Sequence, residues 1–431
     1  MEVDNKKNDQ NIIPNDADKP QKGVNVPNLR FPCFYSTWCK NKFKNLFVLL
    51  KNNTLSRAEL NYNKGKIKNI HYGDILIKFN NFVLSNANSI PYINDESIPN
   101  KYSELLLKNG DLIIADTAED YSVGKATELI FNDKSLIISG LHTIPCRPVQ
   151  NIFASKYLGY YINSPSYHNQ LLPLIQGIKV SSISKSQIVN TYITYPDIKE
   201  QNKIAKFLTL IEQRIDTQSK IIEDLELFEK EINNTIINKL VEHKDLVKFS
   251  SLYNFAKEGG TPNTSHPEYY TKGSIPFVKI DDLTTKYLVS NQSFITKLGL
   301  ENSSAWLIPA NSILYSNGAT IGAISINKYP VTTKQGILGI VPKSDYLSDY
   351  LYYFLRSNYF KKEICRITTQ GTMKSAYIKD IDNILVPHVN KNQQNEILTL
   401  LSEITLKIEK EKDILELYRK QKAYLLKNMF I

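Results

Sequence analysis

No apolar run among the 431 residues is long enough to span a bilayer. The N-terminus is polar and of mixed charge, without a signal-peptide pattern, so a cytoplasmic chain with no membrane association is expected. Cysteine is scarce: Cys33, Cys39, Cys146 and Cys365 are scattered, with no histidine or second pair at metal-ligand spacing. Neither a disulfide framework nor a metal site is expected. The six histidines stand apart from any serine, cysteine or carboxylate pattern that would complete a catalytic set. Gly124-Lys125 lacks the upstream glycine and the Ser/Thr of a phosphate-binding loop. No Asn-Pro-Pro-aromatic tetrapeptide is present to hold a flipped base for methyl transfer. Pro196-Asp197 is not followed by the acidic-x-Lys strand of a metal-dependent nuclease; the nearest candidate, Glu242-His243-Lys244, ends a helix. A chain that binds and positions, with no catalysis and no cofactor of its own, is the expectation.

Arginine is also rare, seven of 53 basic residues, so any guanine recognition must lean on lysine or amide side chains. The net charge of +10 favours a polyanionic partner such as nucleic acid. The abundance of Asn, Ile and Lys is equally what an AT-rich genome produces, and charge alone leaves the partner open.

What the chain does have is a second copy of itself. Gln201-Asn202-Lys203-Ile204 returns as Gln394-Asn395-Glu396-Ile397, 193 residues on. Tyr157-Leu158 and Tyr160-Tyr161 answer to Tyr350-Leu351 and Tyr353-Phe354, and Gln176-Gly177 answers to Gln370-Gly371. The period is too long for a solenoid and marks a duplicated domain. Five regions follow: a disordered leader (1–25), rich in Asn, Asp, Lys and Pro; a first module (26–195); a helical region (196–245); a second module (246–387); and a distal helical region (388–431). Short β-rich runs fill the modules: Asp74–Ile77, Asp111–Ile114 and Ser135–Ile138 in the first, Ile275–Ile280, Ser312–Tyr315, Ala323–Ile326 and Gly336–Val341 in the second. One helix closes each, Ser155–Asn163 with Ser155 as its cap, and Ser348–Ile364.

The helical regions are heptads. Ile204, Leu208, Ile211, Ile215, Gln218, Ile222, Leu225, Glu229, Ile232 and Ile236 alternate steps of four and three. Their counterparts are Ile397, Leu401, Ile404, Ile408, Glu411, Leu415, Tyr418, Lys422, Leu425 and Met429, with the same two slots polar. A narrow sustained stripe suits one partner helix, so the two regions are expected to pair as a coiled coil. Short connections favour the antiparallel arrangement. The fold class expected is α+β: two strand-rich α/β modules and two long helices in an antiparallel coiled coil, as a pseudo-two-fold internal repeat.

Two passages make the reading specific. Val26-Pro27-Asn28-Leu29-Arg30-Phe31-Pro32-Cys33-Phe34 and Trp38 open the first module. Gly259-Gly260-Thr261-Pro262, Tyr269-Tyr270, Gly273 and Ile275–Asp282 open the second, followed by Asn311–Gly322 and Gln370-Gly371-Thr372-Met373-Lys374. With the helical repeats, the chain from residue 26 onward resembles the specificity subunit of a type I restriction-modification system. The resemblance implies two target-recognition domains, each reading half of an asymmetric, interrupted double-stranded DNA site. It implies a coiled-coil spacer that docks two methyltransferase subunits, which carry S-adenosylmethionine, and through them the motor-nuclease restriction subunits. The subunit itself would be non-catalytic. A coiled-coil scaffold, or the recognition part of another restriction-modification enzyme, is the alternative. The first module departs from the pattern, with Thr54-Leu55-Ser56-Arg57 where the second has Gly-Gly-Thr-Pro.

Candidate DNA contacts follow from side-chain chemistry. Thr261, Lys279 and Asp281-Asp282 lie near strand ends, where Asp282 suits a cytosine amino group. Ser316, Asn317 and Thr320 lie in a glycine-containing loop, and Gln370, Gly371, Thr372 and Lys374 in the second Gln-Gly loop. Gln176, Gly177, Lys179 and Lys78 are the first module's equivalents. Partner and coiled-coil contacts are assigned to the heptad residues above.

Overall fold

The computed structural model describes residues 25–94, 102–177, 179–318, 320–368 and 375–431. The expected leader up to residue 24 and the loop carrying Gln370, Gly371, Thr372 and Lys374 lie outside them. The chain forms two compact units, one of residues up to Thr217 with Leu415–Ile431, the other Gln218–Ile414.

In the first unit a five-stranded sheet runs Phe47–Leu49, Thr143–Pro148, Leu112–Ala115, Ala126–Ile130, Phe82–Leu84, antiparallel except for the last pair. Its middle strand is apolar at every position because both faces are covered. Leu112 and Ile114 point into a core shared with helices, and Ile113 and Ala115 into a second core. A smaller sheet orders Leu136–Ser139, Ile67–Ile70, Tyr92–Ile93 and Leu60–Asn61. The second unit repeats the plan. Its large sheet runs Tyr253–Glu258, Ile337–Pro342, Ile313–Ser316, Ile324–Asn327, Tyr287–Leu288, with the same strand directions. Ile275–Val278 lies between Phe294–Ile295 (antiparallel) and Thr332–Thr333 (parallel). In each unit a short antiparallel pair leads into a long helix: Cys39–Lys42 with Tyr192–Tyr195, and Leu246–Lys248 with Leu385–Pro387.

Three local expectations change. The run Asp74–Ile77 is not a strand but part of a helix, Tyr72–Ile77. Four apolar-rich residues are too few for periodicity to separate the two, and local hydrogen bonding decides: His71 Nδ1 accepts the Gly73 N–H at 3.2 Å. The first aromatic helix is Tyr157–Ile162, and Ser155 does not cap it. Lys156 precedes it in a left-handed conformation (φ 72°), and the Glu128 carboxylate, reaching from the sheet, accepts the N–H groups of Lys156 (2.6 Å) and Gly159 (3.0 Å). The expected helix Ser348–Ile364 is two, Ser348–Arg356 and Asn358–Ile367. Buried Ser357 breaks it in extended conformation and caps the next turn through Phe360 N, as Ser164 does through Tyr167 N in the first unit.

The central helix, Ile198–His243, has 46 residues and the C-terminal helix, Lys391–Asn428, has 38. Asp197 caps the first by accepting from Lys199 N and Glu200 N, and Asn390 caps the second through Gln393 N. The repeated Gln of each helix start is buried and makes the same three bonds twice. Gln201 accepts from Ala154 N and donates to Ile152 O and Pro196 O; Gln394 accepts from Leu347 N and donates to Asp345 O and Val389 O. Each latches the segment ahead of an aromatic helix onto the long helix.

The two long helices pair antiparallel. Within the first unit Glu212 meets Lys422 at 2.6 Å, and Ile204, Leu208 and Ile211 share a core with Leu425 and Met429. Within the second, Glu226 meets Lys412 at 2.6 Å, Thr405 donates to Glu229, and Leu401 shares a core with Ile237, against which Ile397 also packs. The seam residues Ile215, Ile222, Leu225, Ile404, Ile408, Leu415 and Tyr418 are buried or half-buried. Gln218 donates to Glu411, its own counterpart 193 residues on. Partner numbers fall along the second helix as the first advances, Glu212 meeting Lys422 and Glu226 meeting Lys412, so the pair is antiparallel and the meeting of Gln218 with its own equivalent marks the centre of the repeat.

Candidate nucleic-acid interface

In each unit the same backbone corner is built at the end of the middle strand. In the first, Asp116 N donates to His142 O (3.1 Å), and Asp116 O accepts from Ile183 N (2.9 Å), just past the Gln176-Gly177 loop. In the second, Asn317 N donates to Gly336 O (3.0 Å), and Asn317 O accepts from Ala376 N (3.0 Å). His142 and Gly336 are both left-handed, at φ 54° and 89°. The loop from small sheet to large sheet is anchored alike, by Gly140 N on Ile70 O and by Lys334 N on Val278 O. Strand-end loops from both sheets therefore converge on one edge of each unit.

The side chains at the two corners differ. In the first, Gln176 bridges Ser182, which pairs with Thr117; the Thr117 hydroxyl lies 3.3 Å from His142 Nδ1, whose ring stands edge-on to Tyr72. Behind Tyr72, fully buried Asp74 holds Arg57 (2.9 Å) and Lys78 (3.2 Å), and Lys78 also donates to the Tyr62 hydroxyl. Burial opposes the Arg57 charge, but the Asp74 bond and charge outweigh it and push the guanidinium up. Lys78 is raised by Tyr62 and Asp74 together. Burial, then Arg57, pushes His71 down, in keeping with a neutral ring that accepts from Gly73 N. Arg57 and Lys78 are thus fixed cations with exposed tips, on a patch with the half-exposed ring of Tyr62. In the second corner Gly259 N donates to Ile337 O, Gly260 N to Thr333 O, and Gln335 N to Thr261 Oγ1. Lys334 and Gln335 are exposed at its centre.

This double construction has relatives. A model of the type I restriction modification DNA specificity domain matches residues 35–227 and again 239–417. The chain belongs to that specificity family. It is 31% identical over 210 residues to the type I restriction enzyme MjaIX specificity subunit of Methanocaldococcus jannaschii, covering 47% of this chain and 48% of that one. It is 29% identical over 197 residues to the EcoR124I/EcoR124II specificity subunit of Escherichia coli, covering 43% and 46%. Each match spans about half the length of the relative. The crystal structure of a type I restriction-modification S subunit from M. genitalium shares the fold at TM-score 0.51 and 16% identity, covering 94% of this chain and 99% of that one. A chain from a structure titled for complex assembly and conformational transition of the type I R-M system does so at 0.59 and 16%, covering 91% and 97%. Among the described residues no helix is long and apolar enough to cross a membrane.

On this specificity fold, the expected contact residues fall into two groups. Lys78, Gln176, Gly177 (φ 106°), Lys179, Thr261, Lys279, Asp281 and Thr320 are exposed on loops or element ends. Ser316 and Asn317 are not: both are buried, and Asn317 donates to Ala376 O, so their side chains build the corner and do not face outward. Asp282 is half-buried, and one carboxylate oxygen accepts Lys279 N at 2.8 Å, capping its own turn. Lys334, Gln335, His142 and Arg57 are also exposed at these corners and were not among the expected contacts. For His142, Lys334 and Gln335 the signal was Leu141-His142 and Lys334-Gln335-Gly336 just ahead of a strand, where His142 and Gly336 turn the loop in a left-handed conformation; no such pattern marks Arg57. The Gly-Gly-Thr-Pro counterpart also moves. Asn53 N bonds Ser139 O where Gly260 N bonds Thr333 O, so Asn52-Asn53, not Thr54–Arg57, occupies that register. A Cβ on Gly260 would stand 2.3 Å from Ala305 N; Asn53 fills its space with bonds to Asn69 and Ser139 O.

Proposed function

We propose that this chain is the non-catalytic DNA sequence-specificity subunit of a type I restriction-modification complex, reading a bipartite asymmetric duplex target through its two corners. The observation that carries it is one backbone corner built twice with different side chains: Arg57, Lys78, Thr117, His142 and Gln176 in one unit, Thr261, Lys279, Lys334 and Gln335 in the other. A common backbone sets the approach to phosphates, and different donors and acceptors suit different base edges. Two methyltransferase subunits, supplying S-adenosylmethionine, dock on the helices, where Leu210, Leu227, Phe228, Leu406, Leu417 and Tyr424 stand exposed off the seam. The motor-nuclease subunits join through them. The test is co-expression with a methyltransferase partner and genome-wide mapping of methylated adenines. A split motif is expected, exchange of residues 246–387 for another family member's should alter one half only, and removing whole heptads should change the gap. Methylation without sequence preference, or both halves changing on exchange, would overturn the reading.

A further inference from the structure

A cleft of about 360 Å³ in the first unit lies apart from the corner's reading side chains, walled by Asn80, Tyr121, Ser122, Lys125, His168 and Lys422. Its chemistry is cationic. Lys125 is more than half-buried, and Nζ donates to Leu76 O at 2.9 Å. It has no carboxylate partner among the described residues. Burial, then the positive charge of Lys422, pushes its ammonium down. Lys422 is balanced by Glu212, whose Oε1 also accepts from Asn81 Nδ2, so Lys125 carries the cleft's unopposed charge. His168 Nε2 lies 3.1 Å from Tyr121 O, holding the wall of the cleft in place, and Asp120 Oδ1 accepts Ser122 N. A half-buried lysine held without a counter-ion costs free energy that an anion seated beside it recovers. Two ammonium groups and an asparagine amide are donors for tetrahedral oxyanions, while the Ser122 hydroxyl is taken by Asp120.

We propose that this cleft binds a phosphate group between Lys125 and Lys422. The same chemistry is offered by free phosphate and by the backbone of a duplex, since the loop from Thr117 to Gly124 joins the cleft to the corner. The test uses the full chain and its two tryptophans. Trp38 reports the first unit and Trp306 the second. Inorganic phosphate in ~10-fold excess over its dissociation constant should raise the Trp38 melting midpoint by ~3 °C beyond sodium chloride of equal ionic strength. The Trp306 midpoint should stay put. Lys125→Met should abolish the rise and Lys125→Arg retain it; Lys422→Met is a weaker probe because it strands Glu212. No rise over chloride, or an equal rise in Lys125→Met, overturns the site. A second measurement separates the sources: for a labelled non-specific duplex, Lys125→Met lowers the salt slope of log K by ~0.9 if the occupant is a DNA phosphate. It leaves the slope unchanged if the occupant is free phosphate.

Discussion

Replacing the repeated glutamine tests whether the duplication is a folding device. Gln394 is fully buried, and its amide satisfies Leu347 N, Asp345 O and Val389 O. Leucine has nearly the same volume and none of the donors or acceptors. Gln394→Leu therefore leaves three backbone groups without partners, at about 1 kcal/mol each, and the added apolar burial returns part of that, for a net loss of ~2–3 kcal/mol. With a urea slope of ~2 kcal/mol per molar, the midpoint falls by ~1 M. The change should be seen at Trp306, in the same unit, after Trp38→Phe removes the other fluorophore. Gln201→Leu strips Ala154 N, Ile152 O and Pro196 O and should show the same fall at Trp38. Asn395 and Asn202 follow these residues, are exposed, and serve as controls; their alanine variants should stay within ~0.5 kcal/mol of the parent. If the glutamine variants behave like the asparagine controls, the repeated dipeptide is not a latch and the account of the repeat fails.

Two further perturbations follow from the first module's buried carboxylate and the second module's paired glycines. Burial pushes Glu128 up from 4.5 to about 7 against the opposing pull of the Lys156 and Gly159 amides. At Glu128 the folded state then binds more protons than the unfolded one between those values, so this group's contribution to stability is greatest below pH ~4.5 and declines as pH rises to ~7, by up to ~3 kcal/mol. Glu128→Gln should flatten that decline in unfolding titrations read at Trp38; an unaltered slope would assign it to other groups. Gly260→Ala places a Cβ 2.3 Å from Ala305 N, backbone that must shift, and should cost ~1–3 kcal/mol at Trp306. A midpoint unchanged by that substitution would mean the loop accommodates a methyl group there and the paired glycines are dispensable.

The framework was legible because it repeats, and the exposed chemistry of the corners was not because it does not. The heptads announced the pair, down to the two polar slots, and the short connections announced its antiparallel sense. Gln218 and Glu411 meet each other, and Glu212 and Thr405, at repeat-equivalent positions, meet Lys422 and Glu229. Periodicity reports such contacts because burial along a helix is set by spacing alone. The corner is assembled otherwise, from strand ends far apart in sequence, and what brings them together is backbone hydrogen bonding, which no side-chain pattern encodes. Asn317 illustrates the cost of reading composition there. An Asn-Gly pair after a strand looks like an exposed turn, yet its amide is spent on Ala376 O inside the corner, and the exposed chemistry passes to Lys334 and Gln335 on the neighbouring loop. Asp74 and Asp282 make the same point from the other side. They stand at equivalent places after the small sheet's strand, since Ile70 and Val278 anchor the same loop. In one unit the carboxylate is sealed under two cations, and in the other it caps its own turn. A fixed frame that lets one position be a counter-ion here and a cap there can alter its outward charge without altering its fold, which is the freedom the proposed divided target would require at two places in one chain.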